Sequence, residues 1–362
     1  MNRLGIKIAQ RIRREGPLSI AAFMAMALHD PADGYYARRE PIGRAGDFIT
    51  APEISQIFGE LIGLCCADWW QRADAPDPVI VAELGPGRGT LMVDFLRATS
   101  GVPGFRQAIR LHLIEASPML RAEQQRRLDD ARPQFVESIG ALPDEPLLLV
   151  ANEFLDALPV RQLVRGAGND WAERFVGLDE AGQLAFVDGP ASVMLGHLVP
   201  PELRGSSSPG AVVEVCSAAA ALASVLGERL SRRRGCALFV DYGYDGGMPG
   251  ATLAAIRGHR PAFVFEAPGE ADLSAHVDFA AFTAAARAAG AAVYGPVPQG
   301  RFLAALGAEA RLARLLERAA TPTQRDDLRS GLARLLDPAA MGTLFEVLAI
   351  TSPGQPAPAG FD

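Results

Sequence analysis

Lysine is almost absent from this chain: Lys7 is the only one among 35 basic side chains, and the others are arginine. That is a compositional bias and carries no function. Acids outnumber bases, 42 to 35, for a formal net charge of -7. This excludes a nucleic-acid binder working through bulk positive charge. Long apolar runs are missing too. No stretch approaches the roughly 18 to 20 uninterrupted apolar residues of a membrane-spanning helix, and the N-terminus lacks the apolar core of a secretory signal. A soluble protein without a membrane span is expected, cytoplasmic, or in the mitochondrial matrix if the source is eukaryotic. The opening MNRLGIKIAQRIRR is free of acids, as transit segments are, but it is short and runs straight into patterned sequence. A first helix is expected there instead. Cysteine is scarce: Cys65, Cys66, Cys216 and Cys236 show no CxxC spacing and no nearby histidine cluster. Buried free thiols are expected, with neither a metal site nor a disulfide framework.

What is present is patterned sequence over 362 residues, ample to bury a core. Residues 1–75 form an expected N-terminal helical region: Ile20, Phe23, Met24 and Ala27 fall at helical spacing, and so do Ile54, Ile57, Phe58 and Leu61. Between them, DPADGYYARREPIGRAGDFITA is rich in glycine and proline and predicts a long ordered loop. From residue 78 short apolar segments alternate with helical ones: PVIVAEL, a helix from Thr90, RLHLIE, a helix opened by Ser117 and Pro118, FVES, and PLLLVAN. Such alternation predicts an α/β fold, a doubly wound, mostly parallel sheet covered on both faces.

The alternation breaks at about residues 160–210, where PVRQLVR, WAERFVGL and QLAFVDG predict antiparallel hairpins inserted into the main domain, 76–351. CALFVDYGY resumes the sheet. Residues 276–336 are expected to be mainly helical apart from AAVYG, TLFEVLAI is a final strand, and 352–362 has the composition of a flexible tail.

The chemistry concentrates in VAELGPGRGT. A glycine loop between strand and helix lets the backbone approach a ligand at the carboxyl end of the strands. The dinucleotide fingerprint is GxGxxG, whereas Gly85, Gly87 and Gly89 form GxGxG, with Glu83 two residues before. An acid at that lip repels a pyrophosphate but accepts from a cationic or hydroxyl-bearing ligand, which favours S-adenosylmethionine over NAD. Glu115, ending the second strand, is placed to accept from ribose hydroxyls, a role common to both ligands. The bland alternative is a glycine turn with structural acids.

DGYY, GDFITAPEISQIFGELIG, ELGPGRGT, NEFLDALPVRQ, DYGY, ADLSAHVDF and QGRFLAALG, in this order, resemble the MidA family of class I S-adenosylmethionine-dependent methyltransferases. The resemblance runs from about Leu18 to Ile350. It implies a Rossmann-like class I methyltransferase fold with S-adenosyl-L-methionine as cofactor. It also implies protein arginine methylation, with a subunit of respiratory complex I as the protein partner.

Carried over by motif, Gly85, Pro86, Gly87 and Gly89 form the cofactor loop beside Glu83, and Glu115 is the ribose acid. Gly46, Asp47, Phe48 and Thr50 belong to a stretch folded over the cofactor. Asn152, Glu153 and Asp156 follow the fourth strand, where substrate-facing groups are expected. Glu153 is the candidate to orient an acceptor guanidinium, with Asp156 or Asp47 as second acids. The alternative for Glu153 and Asp156 is a helix-start pair facing the positive end of the dipole. Asp241 is expected to be structural. DGYY is either an aromatic lid or packing for the N-terminal helices. The chain departs from the family's usual pattern at RGHRPAFVFEAPGE, at Glu346 and after Glu214, outside the cofactor motifs. Two other classes stay open at this level: an assembly factor that binds the cofactor without turnover, and an NAD-dependent oxidoreductase.

Overall fold

The computed structural model describes residues 1–38, 49–247 and 250–361. Gly46, Asp47 and Phe48 lie outside the described residues. The chain forms two compact units: Met1–Phe48, Asp156–Ala221 and Tyr244–Ala281 make the first, and Ile49–Leu155, Leu222–Gly243 and Phe282–Asp362 the second.

The second unit is built on a sheet whose strands run, edge to edge, Ala292–Pro298, Phe345–Thr351, Gly235–Tyr244, Leu147–Asn152, Val79–Leu84, Ile109–Ile114 and Gln134–Val136. The last five pair in parallel, and Phe345–Thr351 lies antiparallel to both its neighbours. Val79–Leu84 and Leu147–Asn152 are buried along their whole length. A sheet with helices on both faces requires such continuous apolar runs. The chain's first two passes through the sheet step outward in one direction, and Leu147–Asn152 then returns to the other side of Val79–Leu84. The order therefore reverses between these two strands, and an open α/β sheet binds ligands in the crevice at such a point.

The expected helix through PEISQIFGELIGLCCADWW is two helices, Ala51–Ile54 and Gln56–Arg72, broken at Ser55. Ser55 is extended, and its hydroxyl accepts from the Ile57 amide to start the second helix. Nor is the C-terminal segment frayed. The buried Trp69 indole N–H donates to Pro356 O at 3.0 Å, Arg72 donates to Ala357 O at 2.9 Å, and the Phe361 ring packs 5.2 Å from that of Phe302. A buried indole needs an acceptor, and the tail supplies one.

In the first unit, Asn2 caps the helix Arg3–Glu15 by accepting from the Gly5 amide, and Leu4, Ile8 and Ile12 face inward. With Phe23 and Met24 of Ile20–His29 they share one core with Val160, Val176 and Leu184. The expected boundary at residue 75 is therefore displaced: the first two helices bury their apolar faces on the hairpin segment, while Gln56–Arg72 belongs to the second unit. Arg161–Arg165, Trp171–Leu178 and Leu184–Asp188 are antiparallel as expected, joined by Val212–Val215 and Leu18–Ser19. The same unit contains a three-stranded sheet at Ala254–Arg257, Arg260–Ala262 and Asp272–Ser274. Both DGYY tyrosines take part in packing: Tyr35 is fully buried, and Tyr36 donates to Asp272 Oδ1 at 3.2 Å while stacking on His29.

Among the described residues, no helix is long and apolar enough to cross a membrane, and no group of three or more His, Cys, Asp or Glu could hold a metal. The four cysteines are free thiols, three of them buried.

Candidate functional site

Strand Val79–Leu84 turns out of the sheet at Gly85, whose N–H donates to Ile114 O of the neighbouring strand at 3.0 Å. Gly85, Gly87 and Gly89 have φ of 60°, 53° and 77°. This left-handed region strains residues with a Cβ, and a Cβ on Gly85 would also lie 2.9 Å from the Phe154 ring. Gly89 closes the turn by donating to Pro86 O at 2.8 Å, and the helix Thr90–Ala98 begins there with no side-chain cap.

Glu83, the penultimate residue of the strand, is 3 % exposed, and its Oε2 has no hydrogen-bond partner among the described residues. Burial, and secondarily the charge of Glu115, push its carboxyl up to about 8. A buried polar atom left unpaired is costly and calls for an explanation. Glu115 is raised as well, by burial, against hydrogen bonds that favour its ionised form. Its Oε1 accepts from the Ser117 amide at 2.8 Å and its Oε2 from Gln124 Nε2 at 3.2 Å. Gln124, buried in the helix Pro118–Leu128, also donates to Gly87 O at 2.7 Å and so joins the glycine loop to Glu115. No spacing in the sequence marks that role.

On the other side of the strand-order reversal, Asn152 ends its strand with Oδ1 buried and unpaired among the described residues, while its Nδ2 donates to Glu153 Oε1 at 3.2 Å. The same oxygen accepts from the Ala51 amide at 3.1 Å. Glu153 is left-handed, φ 49°, a conformation that is uncommon without glycine and clusters at functional sites. Asp241 supports the turn: its Oδ2 accepts from the Phe154 and Leu155 amides at 3.1 and 2.8 Å, and its Oδ1 from the Tyr242 amide at 2.9 Å. Its expected structural role thus takes a specific form.

The structure brings Glu83, Gly85, Pro86, Gly87, Gly89, Glu115, Thr50, Asn152 and Glu153 into the second unit. Thr50 is buried just before the helix Ala51–Ile54. Asp156 opens a segment of the first unit, where its backbone oxygen accepts from the Ala275 amide. Glu153 and Asp156 are not a helix-start pair, because no helix follows Asn152; the chain turns over Asp241 instead.

Glu83 Oε2 and Asn152 Oδ1 are acceptors wanting donors, beside a loop that excludes side chains. They suit the ammonium and hydroxyl groups of S-adenosylmethionine better than a pyrophosphate, which offers acceptors only.

A doubly wound sheet in this strand order, with a glycine loop after its first strand and an acid after its second, is that of a class I S-adenosylmethionine-dependent methyltransferase. Residues 61–297 match the family described as "Putative S-adenosyl-L-methionine-dependent methyltransferase". The mitochondrial protein arginine methyltransferase NDUFAF7 of Danio rerio is 35% identical over 370 residues, covering 95% of this chain and 85% of that protein. Its Drosophila melanogaster homolog is 36% identical over 380 residues, covering 96% and 84%. A crystal structure from Burkholderia thailandensis, bound to S-adenosyl-homocysteine, superposes with a TM-score of 0.83 at 29% identity, covering 99% of this chain and 93% of that one. The chain belongs to the MidA/NDUFAF7 family of S-adenosylmethionine-dependent methyltransferases, and S-adenosylmethionine is its cofactor.

Proposed function

We propose that this methyltransferase is a protein arginine N-methyltransferase whose acceptor is a subunit of respiratory complex I, the NADH:quinone oxidoreductase. The observation that carries this reading is the breadth of the likeness: relatives named as protein arginine methyltransferases, 33 to 36% identical, match 94 to 96% of the chain.

S-adenosylmethionine supplies an electrophilic methyl group on sulfur. In our reading Glu83, Gly85, Pro86, Gly87, Gly89, Glu115, Asn152 and Thr50 hold it, with Gly46 and Phe48 in the covering stretch. The chain's task is then to keep the acceptor nitrogen in line with that methyl, and correct positioning alone can supply several kcal/mol of a displacement barrier, about 7 or more in favourable cases. An arginine acceptor stays protonated at ordinary pH, so a carboxylate must orient its planar fork. Glu153 has one carboxylate oxygen fixed by the Ala51 amide and the Asn152 side chain, which sets the plane of the group. We assign Glu153 the orienting role, with Asp156 and Asp47 as second acids.

The test is label transfer from S-adenosylmethionine to complex I subunits, followed by mass spectrometry of the modified residue. Glu153→Gln should lower transfer by about a hundredfold, a few kcal/mol of lost charge-assisted hydrogen bonding, while S-adenosylhomocysteine affinity is kept. Full activity in Glu153→Gln would remove the assignment. Saturable cofactor binding with no transfer to any subunit would replace the enzyme with an assembly factor.

A further inference from the structure

We propose that Glu53 is a positioning residue for methyl-donor binding, holding the exit of the glycine loop from outside. The inference rests on the reading of residues 85–89 as the cofactor loop. Glu53 is an acid in the first turn of the helix Ala51–Ile54, but its carboxylate reaches beyond that helix. One oxygen accepts from the hydroxyl of Thr90, the first residue of the helix after the loop. The other lies 3.6 Å from Nη1 of Arg88, with the two side chains only 16% and 27% exposed. The Thr90 hydroxyl in turn accepts from Arg127 at 3.2 Å, so it is held between an acceptor and a donor. The N-terminal amide of the same short helix, Ala51, donates to Glu153. Four residues thus connect the loop after the first strand with the turn after the fourth, the two lips of the strand-order reversal.

The loop needs outside support for a physical reason. Gly-Pro-Gly-Arg-Gly has three glycines, which lose the most backbone freedom on ordering, and Arg88 is its only polar side chain. A carboxylate that holds both Arg88 and Thr90, the residue that follows the loop, limits the loop to the conformation the ligand requires, and preorganisation of this kind raises affinity by lowering the ordering cost of binding.

The experiment measures S-adenosylhomocysteine binding to the full chain by calorimetry at low and high salt, with melting temperatures alongside. Glu53→Ala should weaken binding by about tenfold. Glu53→Gln, which still accepts from Thr90 but loses the charge facing Arg88, should weaken it by about threefold with a smaller salt dependence. Combining Glu53→Ala with Thr90→Val should cost less than the two single changes added, because they break one contact. Unchanged affinity in both Glu53 variants, whatever happens to the melting temperature, overturns the proposal. Gly85→Ala separates the two layers. If it weakens binding and Glu53→Ala does not, the clamp falls and the loop reading stands; if neither does, both fall.

Discussion

Replacing Glu83 by glutamine removes a buried ionisable group while keeping its size. Burial and the Glu115 charge lift the Glu83 carboxyl from 4.5 to about 8. Between these values the folded, ligand-free chain keeps a proton that the unfolded chain has released. The contribution of Glu83 to stability is therefore most favourable below pH 4.5 and falls as the pH rises toward 8. The interval is about 3.5 pH units, and at about 1.4 kcal/mol per unit the loss saturates on the order of 5 kcal/mol. About 4 kcal/mol of that loss falls between pH 5 and 8.5, and at roughly 2 °C per kcal/mol for a unit of about 200 residues wild type should lose about 8 °C more than Glu83→Gln over that window.

Binding provides a second readout. A ligand ammonium favours the carboxylate, so S-adenosylhomocysteine binding at pH 7 should release close to one proton, seen in calorimetry across buffers of different ionisation heat. Affinity should rise with pH up to about 8, approaching tenfold per pH unit, and Glu83→Gln should abolish both effects. A variant that retains the wild-type pH slope of melting and the same proton release would refute the reasoning.

Three further outcomes follow from the packing. Gly85→Ala introduces a Cβ 2.9 Å from the Phe154 ring at a left-handed φ; a loss of about 2 to 4 kcal/mol is expected in urea denaturation. Asp241→Ala leaves the amides of Phe154, Leu155 and Tyr242 without their acceptor. That should cost about 2 to 4 kcal/mol in the same assay, and an unchanged midpoint would contradict the supporting role. Glu60 is fully buried and accepts from Arg311, Arg97 and Gln56. Burial opposes its ionisation, but the arginine hydrogen bonds prevail and hold it below the usual range, so its contribution is present above pH 4.5 and lost as the pH falls further. Glu60→Ala should destabilise by on the order of 2 to 4 kcal/mol and flatten acid unfolding.

The strands and helices around the site were legible because each is encoded locally. VIVAEL is apolar but for Glu83 and buried along its length, as a strand covered on both faces must be, and Ser117 and Pro118 open the helix Pro118–Leu128 with the Ser117 hydroxyl accepting from the Leu120 amide. The break at Ser55 was not legible, since apolar spacing continues across it. The ordered tail was not legible either, because its hold on Trp69 spans 287 positions. The three-stranded sheet at residues 254–274 falls in a stretch whose pattern departs from the family's and gives little periodicity to read.

By itself the sequence determined the order of elements, the glycine spacing that leaves room for a ligand, and the acids that end two strands, all set by residues within a few positions of one another. Only tertiary structure decided that Glu83 lies buried with an oxygen unpaired among the described residues, that Gln124 bridges Gly87 and Glu115, that Asp241 supports the turn after Asn152, and that Glu53 reaches Thr90. Those pairings join side chains from different elements. Their geometry depends on strand register and helix packing, which local periodicity does not specify.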